Sequence, residues 1–198
     1  MKRLATVLLV LAVTLAWNAG RGVAEEAKLP TFKGKDTKTL GKWKEKLGKK
    51  DEQYGKKAAW IALVTDLAAK QNGYKLAVKD NDTWTWSEDD PGDKRVPQPA
   101  KDGEKAPATC WFADESFSLT VTPPETKPYK VTLYVVDYDR GGRAQEVKVE
   151  GIDKAEPIVA ADCEGGVYLT WQADKPLTIK MNKVDGPNCV VSAVFIDE

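Results

Sequence analysis

Gly166-Val167-Tyr168-Leu169-Thr170-Trp171-Gln172-Ala173-Asp174-Lys175-Pro176-Leu177-Thr178-Ile179-Lys180-Met181 is the stretch that decides the fold class. Val167, Leu169 and Trp171 alternate with Tyr168 and Thr170, and Leu177, Ile179 and Met181 alternate with Thr178 and Lys180. Successive side chains of a strand point to opposite faces, so each run sets one apolar row on a core and sends the other outward. Asp174-Lys175-Pro176 breaks the two runs with turn chemistry. Working outward, the same period of two recurs in Phe117/Leu119/Val121 and in Val131/Leu133/Val135. Strands are predicted over 109–121, 131–137, 144–149, 166–171, 177–181 and 189–196, with Pro, Gly and Asp clusters between them. Upstream, Tyr74-Lys75-Leu76-Ala77-Val78 and Thr83-Trp84-Thr85-Trp86 flank a turn at Asp80-Asn81-Asp82. Short strands at this spacing, without alternating helices, predict an all-β fold: an antiparallel β-sandwich or jelly roll.

Three segments read less simply. Over 56–71, Ala58, Ile61, Ala62, Leu67 and Ala68 fit helical spacing, while Trp60-Ile61-Ala62-Leu63-Val64 fits a short buried strand. One short helix near 56–70 therefore stays open. Residues 31–57 are dense in Lys, Gly and Thr, which by itself predicts loop or disorder, although Trp43 inside them argues that part docks. Residues 87–107, with Asp90-Pro91-Gly92 and Pro97-Gln98-Pro99, read as a long loop of the kind that is functional or mobile.

At the N-terminus, Lys2 and Arg3 precede an apolar run of 14 residues, Leu4 to Trp17, which ends near small residues at Gly22, Val23 and Ala24. That is a secretory leader, with cleavage expected after Ala24. The run is shorter than the ~20 residues a bilayer core needs, and no Cys follows for lipid attachment. The expected organisation is a signal peptide at 1–24, a short mature tail at 25–30 and a single sandwich domain over 31–198. The expected location is outside the cytoplasm: periplasmic, secreted or cell-surface, with no membrane span once the leader is removed.

The whole chain carries 30 basic and 30 acidic residues, and without the leader 27 against 30, a net of −3. Such a balance provides no footprint for nucleic acid or an anionic membrane. Cys110, Cys163 and Cys189 allow at most one internal disulfide, or else are three small buried apolar residues. The chain contains no His. Serine- or cysteine-histidine catalysis is thereby excluded, and the cysteine spacing matches no zinc motif.

Three groups of residues carry candidate chemistry. Trp84 and Trp86 share a strand face, so the pair is expected to be packed together or presented together; presented, it forms a stacking platform for sugar rings. Trp111 and Trp171 are expected in the core. Glu88, Asp89 and Asp90 adjoin the platform, with Asp93 beyond them, and complete the guessed ligand face. As acids on a Pro/Gly-rich loop they suit solvation better than the tuned carboxyl pair of a glycosidase. In Asp137-Tyr138-Asp139-Arg140-Gly141-Gly142-Arg143, Asp137 and Asp139 offer oxygens to a structural calcium ion. The alternative is a hairpin pinned by Arg143, and two carboxylates are few for calcium.

Taken in order, further residues carry a resemblance: Gly34-Lys35-Asp36-Thr37-Lys38-Thr39-Leu40-Gly41-Lys42-Trp43, Trp84-Thr85-Trp86 with Asp90-Pro91, and Trp111-Phe112 with Ser116-Phe117. Leu133-Tyr134-Val135-Val136-Asp137-Tyr138-Asp139, Gly142-Arg143-Ala144-Gln145, Gly166 to Trp171 and Val190-Val191-Ser192-Ala193-Val194-Phe195-Ile196 complete it. The sequence resembles secreted bacterial β-sandwich modules of the galactose-binding-like, carbohydrate-binding-module type. That resemblance implies strand for Trp60 to Leu63. Residues 44–58 are richer in Lys than the family pattern, and 92–107 form an expanded loop. Modules of this fold host many ligands or none; the sandwich reading and the paired Trp84 and Trp86 give the leading expectation, a non-catalytic binding module whose partner is an extracellular or cell-wall polysaccharide. A structural or adhesive envelope protein, docking on a protein partner through the Lys-rich 33–57, is the alternative; a hydrolytic enzyme is the third.

Overall fold

The computed structural model describes residues 30–45, 60–63, 73–99, 103–151 and 156–197. The expected leader with its cleavage site at Ala24, most of the short tail and the remainder of 56–70 lie outside the described residues. The described residues are all-β, with every strand pairing antiparallel. In chain order the strands are β1 (Thr31–Asp36), β2 (Trp60–Leu63), β3 (Lys75–Lys79), β4 (Asp82–Ser87), β5 (Ala108–Ala113), β6 (Ser116–Thr122) and β7 (Tyr129–Val135). They continue as β8 (Ala144–Val149), β9 (Ile158–Ala160), β10 (Val167–Ala173), β11 (Leu177–Asp185), β12 (Cys189–Val191) and β13 (Ala193–Asp197).

One five-stranded sheet runs β1-β10-β7-β13-β2, a second runs β3-β6-β11-β8-β9, and a small third sheet runs β12-β5-β4. The apolar rows predicted from alternation face each other between the two large sheets. Val131, Leu133, Leu169 and Trp171 on one side meet Phe117, Leu119, Ile179 and Met181 on the other, all at most 3% exposed. Trp111 and Trp171 belong to this core, as expected. The outer face of the first sheet is covered as well. There Trp43, carried by a 3-10 turn over Trp43–Glu45, packs on Phe195 with ring centroids 5.3 Å apart. Tyr134, Tyr168 and Val136 belong to the same cluster.

Five expectations are corrected. Residues 31–36, read as loop, form edge strand β1 against β10, with a bulge between Phe32 and Gly34. Their charges mark a sheet edge rather than disorder, since edge strands are protected by charge. The docked part of the Lys-rich segment, up to Glu45, is therefore no free arm. The run 109–121 is two strands, β5 and β6, because Asp114-Glu115 carries the chain from the small sheet to a large one. The run 189–196 is likewise broken at Ser192, whose N–H donates to the Tyr134 carbonyl at 2.8 Å. Residues 137–143 are not a hairpin: β7 and β8 lie in different large sheets, so this turn is a crossover between layers. Trp84 and Trp86 also part company, as described below. Within 56–70, Trp60–Leu63 is strand β2, paired with β13.

The long loop is fastened rather than loose over its described residues. The Gly41 N–H donates to the Lys94 carbonyl at 2.7 Å, the Gln98 N–H to the Gly41 carbonyl at 3.0 Å, and the Trp43 indole N–H to the Gln98 carbonyl at 2.7 Å. Arg95 pairs with Asp93 and donates to the carbonyls of Tyr138 and Glu164.

Candidate functional site

A cleft of about 250 Å³ opens where the small sheet meets the crossover turn. It is lined by Trp84, Trp86, Cys110, Phe112, Asp139, Arg143 and Asn188. Strand geometry builds the floor. Trp84 sits opposite Cys110 and Asp82 opposite Phe112 in the β4–β5 pairing, so alternate residues of both strands turn to one face. The pairing slips between Thr85 and Ser87, leaving Trp86 at a bulge without a cross-strand partner. This bulge explains why the two indoles differ. Trp84 is 55% exposed at the mouth of the cleft. Trp86 is half-buried, its ring 5.5 Å from that of Tyr138 and 5.6 Å from the Arg143 guanidinium.

The polar wall is organised by Asp137. This buried carboxylate accepts hydrogen bonds from the backbone N–H groups of Gly141 at 3.0 Å, Gly142 at 2.9 Å and Arg143 at 3.2 Å, and from the Arg143 guanidinium. The turn can wrap around it because Arg140 and Gly142 take positive φ of 57° and 75°. Arg143 also donates to both oxygens of Asp139 and, through Nε, to Asn188 Oδ1 at 2.7 Å. Residues following β7, preceding β8 and preceding β12 are thus tied at one guanidinium, and each large sheet and the small one contributes a strand end.

Burial opposes the charge on Arg143, but its bonds to Asp139 and Asp137 outweigh it and raise the guanidinium above its ordinary pKa. Burial likewise pushes the Asp139 carboxyl up, yet Arg143 and the Trp86 indole N–H prevail and hold it below the usual range. Asp139 is therefore ionised at neutral pH. Its side chain is 46% exposed, so part of its acceptor capacity faces the cleft.

Of the predicted ligand face, the structure brings Trp84 and Trp86 into the cleft and leaves Glu88, Asp89 and Asp90 out of its lining. Glu88 is exposed. Asp89 accepts from the Ala106 N–H at 2.9 Å, and Asp90 accepts from the Tyr138 hydroxyl at 2.6 Å, so these two acids close the base of the loop. The bond to Asp90, aided by burial, pushes the Tyr138 phenol up to about 12. Asp137 and Asp139, the guessed calcium pair, both face Arg143. Among the described residues no group of three or more His, Cys, Asp or Glu side chains is placed to hold a metal ion.

Sequence reading missed Phe112, Cys110 and Asn188 as neighbours of the tryptophans. The alternation of β5 contained a signal for the first two, whereas Asn188 meets Arg143 across 45 residues of chain with no local pattern. The three cysteines are buried free thiols. Burial pushes Cys110 up to about 12 and Cys163 to about 11, and raises Cys189. Burial thus disfavours the reactive thiolate form at all three. Among the described residues no helix is long and apolar enough to cross a membrane.

No protein-family model matches the chain. No curated protein matches it either. Among solved structures, it is similar to the native family 35 carbohydrate binding module from Clostridium thermocellum, with 9% identity and a TM-score of 0.40, over 70% of this chain and 97% of that one. It is also similar to a family 35 module of the same type from Paenibacillus barcinonensis, with 10% identity and a TM-score of 0.37, over 70% and 97% of the two chains.

Proposed function

We propose that this chain is an exported, non-catalytic binding module that holds a glycan through the cleft headed by Trp84. One observation carries the proposal: a large indole, 55% exposed, stands beside a polar wall in a concave site instead of packing in the core. The C–H face of a sugar ring stacks on such an indole, while its hydroxyls need polar partners at the edge. Asp139 and Asn188 supply them. The cleft is smaller than the ~300–1,000 Å³ of an enclosed small-molecule pocket, which suits one ring of a longer polymer lying across an open surface.

The carboxylates of this cleft support the non-catalytic reading. A glycosidase requires one carboxyl kept protonated by its surroundings, facing a second across the scissile bond. Asp137 is instead enclosed by donors, and Asp139 is held ionised by the same arginine.

The test is retention of the purified chain on immobilised polysaccharides, followed by titration of soluble oligosaccharides against tryptophan fluorescence. Trp84→Ala is expected to weaken binding about tenfold or more, equivalent to ~1.4 kcal/mol of lost apolar burial, with the thermal midpoint unchanged. Binding that is indifferent to Trp84→Ala, or no retention on any polymer, would refute the proposal.

A further inference from the structure

Among the described residues the cleft is lined by one cation, Arg143, and its hydrogen-bond donors are engaged. Arg143 is 6% exposed, its Nε serves Asn188, and its remaining contacts serve two carboxylates. Asp137, Asp139 and Arg143 together leave one uncompensated negative charge, and among the described residues no other Lys or Arg lines the site. A carboxylate-bearing sugar entering here finds no guanidinium fork to receive it. It finds the half-exposed, ionised Asp139 instead. An uncharged sugar meets the same carboxylate as an acceptor for its hydroxyl donors, a charge-assisted hydrogen bond stronger than one between neutral groups.

We propose, building on the reading of the cleft as a glycan site, that it selects uncharged glycans and rejects uronic acids, with Asp139 as the selecting residue. Like charges held at a few ångströms on a partly solvent-exposed surface repel enough to weaken binding by about tenfold, and salt screens the effect. Specificity then arises from a repulsive element as much as from a favourable contact.

The experiment compares neutral β-linked gluco-, manno- and xylo-oligosaccharides with oligogalacturonates and oligomannuronates of equal length. Affinities are read by calorimetry and tryptophan fluorescence at low and high sodium chloride, using the full chain and the variants Asp139→Asn and Trp84→Ala. The expected result is Trp84-dependent binding of at least one neutral series and uronate binding about tenfold or more weaker. High salt narrows that gap in the unmodified protein, and Asp139→Asn narrows it at low salt. Asp139 is half-exposed, so the variant is expected to fold, and the salt series tests the same repulsion without any substitution. Uronates that bind as well as neutral sugars and depend on Trp84 would overturn the selectivity while leaving the glycan site standing. A gap unaltered by both salt and Asp139→Asn would overturn the role of Asp139. If no oligosaccharide binds, the glycan reading fails and the selectivity falls with it.

Discussion

Replacing Asp137 by Ala removes the acceptor of four hydrogen bonds at once, three from backbone N–H groups and one from Arg143. The Asp137 side chain is 2% exposed and that of Arg143 6%, so water cannot readily take over. Breaking a buried ion pair by deleting one partner costs about 3–5 kcal/mol, because the other charge is left under-compensated. In a domain of this size, where each kcal/mol shifts the midpoint by ~2–4 °C, the thermal midpoint falls by roughly 6–20 °C. Asp137→Asn keeps a carbonyl for the backbone donors but turns an N–H₂ toward the guanidinium, so a smaller loss of about 1–3 kcal/mol is expected. Urea denaturation followed by tryptophan fluorescence and circular dichroism measures both, and Trp86 provides a local signal because Arg143 lies over its ring. Pairing Asp137→Ala with Arg143→Met in a double-mutant cycle removes the stranded charge, so the double variant should lose less than the two single losses combined. A loss below about 1 kcal/mol for Asp137→Ala, or strict additivity in the cycle, would show that the turn does not depend on this carboxylate.

Asp93 is held below the usual carboxylate range chiefly by its bond from Arg95, and Asp139 by Arg143 and Trp86 against the opposing effect of burial. A depressed folded-state pKa gives stability that is present above the unfolded value of about 4 and lost as pH falls through the folded one. The thermal midpoint should therefore decline with acidification below about pH 4, more shallowly in Asp93→Asn; a flat profile down to pH 2 contradicts the assignment. The three buried thiols should resist an aromatic disulfide reagent at pH 8 and all react after denaturation, and rapid native labelling would show that the strands around Cys110, Cys163 or Cys189 open. At Gly41 a Cβ would collide with the Val96 carbonyl, so Gly41→Ala should cost about 1–3 kcal/mol by overpacking; an unchanged urea midpoint would mean that this contact yields freely.

The fold was legible wherever one face of a strand is apolar and the other is not, as in β6, β10 and β11. Alternation does not say which sheet a strand joins. Asp114-Glu115 and Ser192 therefore passed as interior positions of longer strands, though each marks a change of sheet. Strand β1 was hidden because its outward charges, Lys33 and Lys35, are the composition of a loop as well as of an edge. At the site, the shared face of Trp84 and Trp86 could be read from their spacing, but the bulge that half-buries Trp86 depends on the register with β5. The acids nearest in sequence, Glu88 to Asp90, were the natural partners to guess. The acid that faces the cleft, Asp139, arrives from a crossover some fifty residues later, brought there by the pairing of sheets rather than by any local pattern.

The convergence of three sheets on Arg143 has a kinetic consequence. A wall fastened to the ends of β7, β8 and β12 leaves a ligand little to order when it arrives. For a ligand that docks on such a patch, encounter proceeds at the ordinary rate, and differences in affinity lie in how long each ligand stays. On the proposed glycan reading, retention is then set by how slowly the cleft releases one ring, and it lengthens on a polymer only where a freed module meets another ring before it diffuses away.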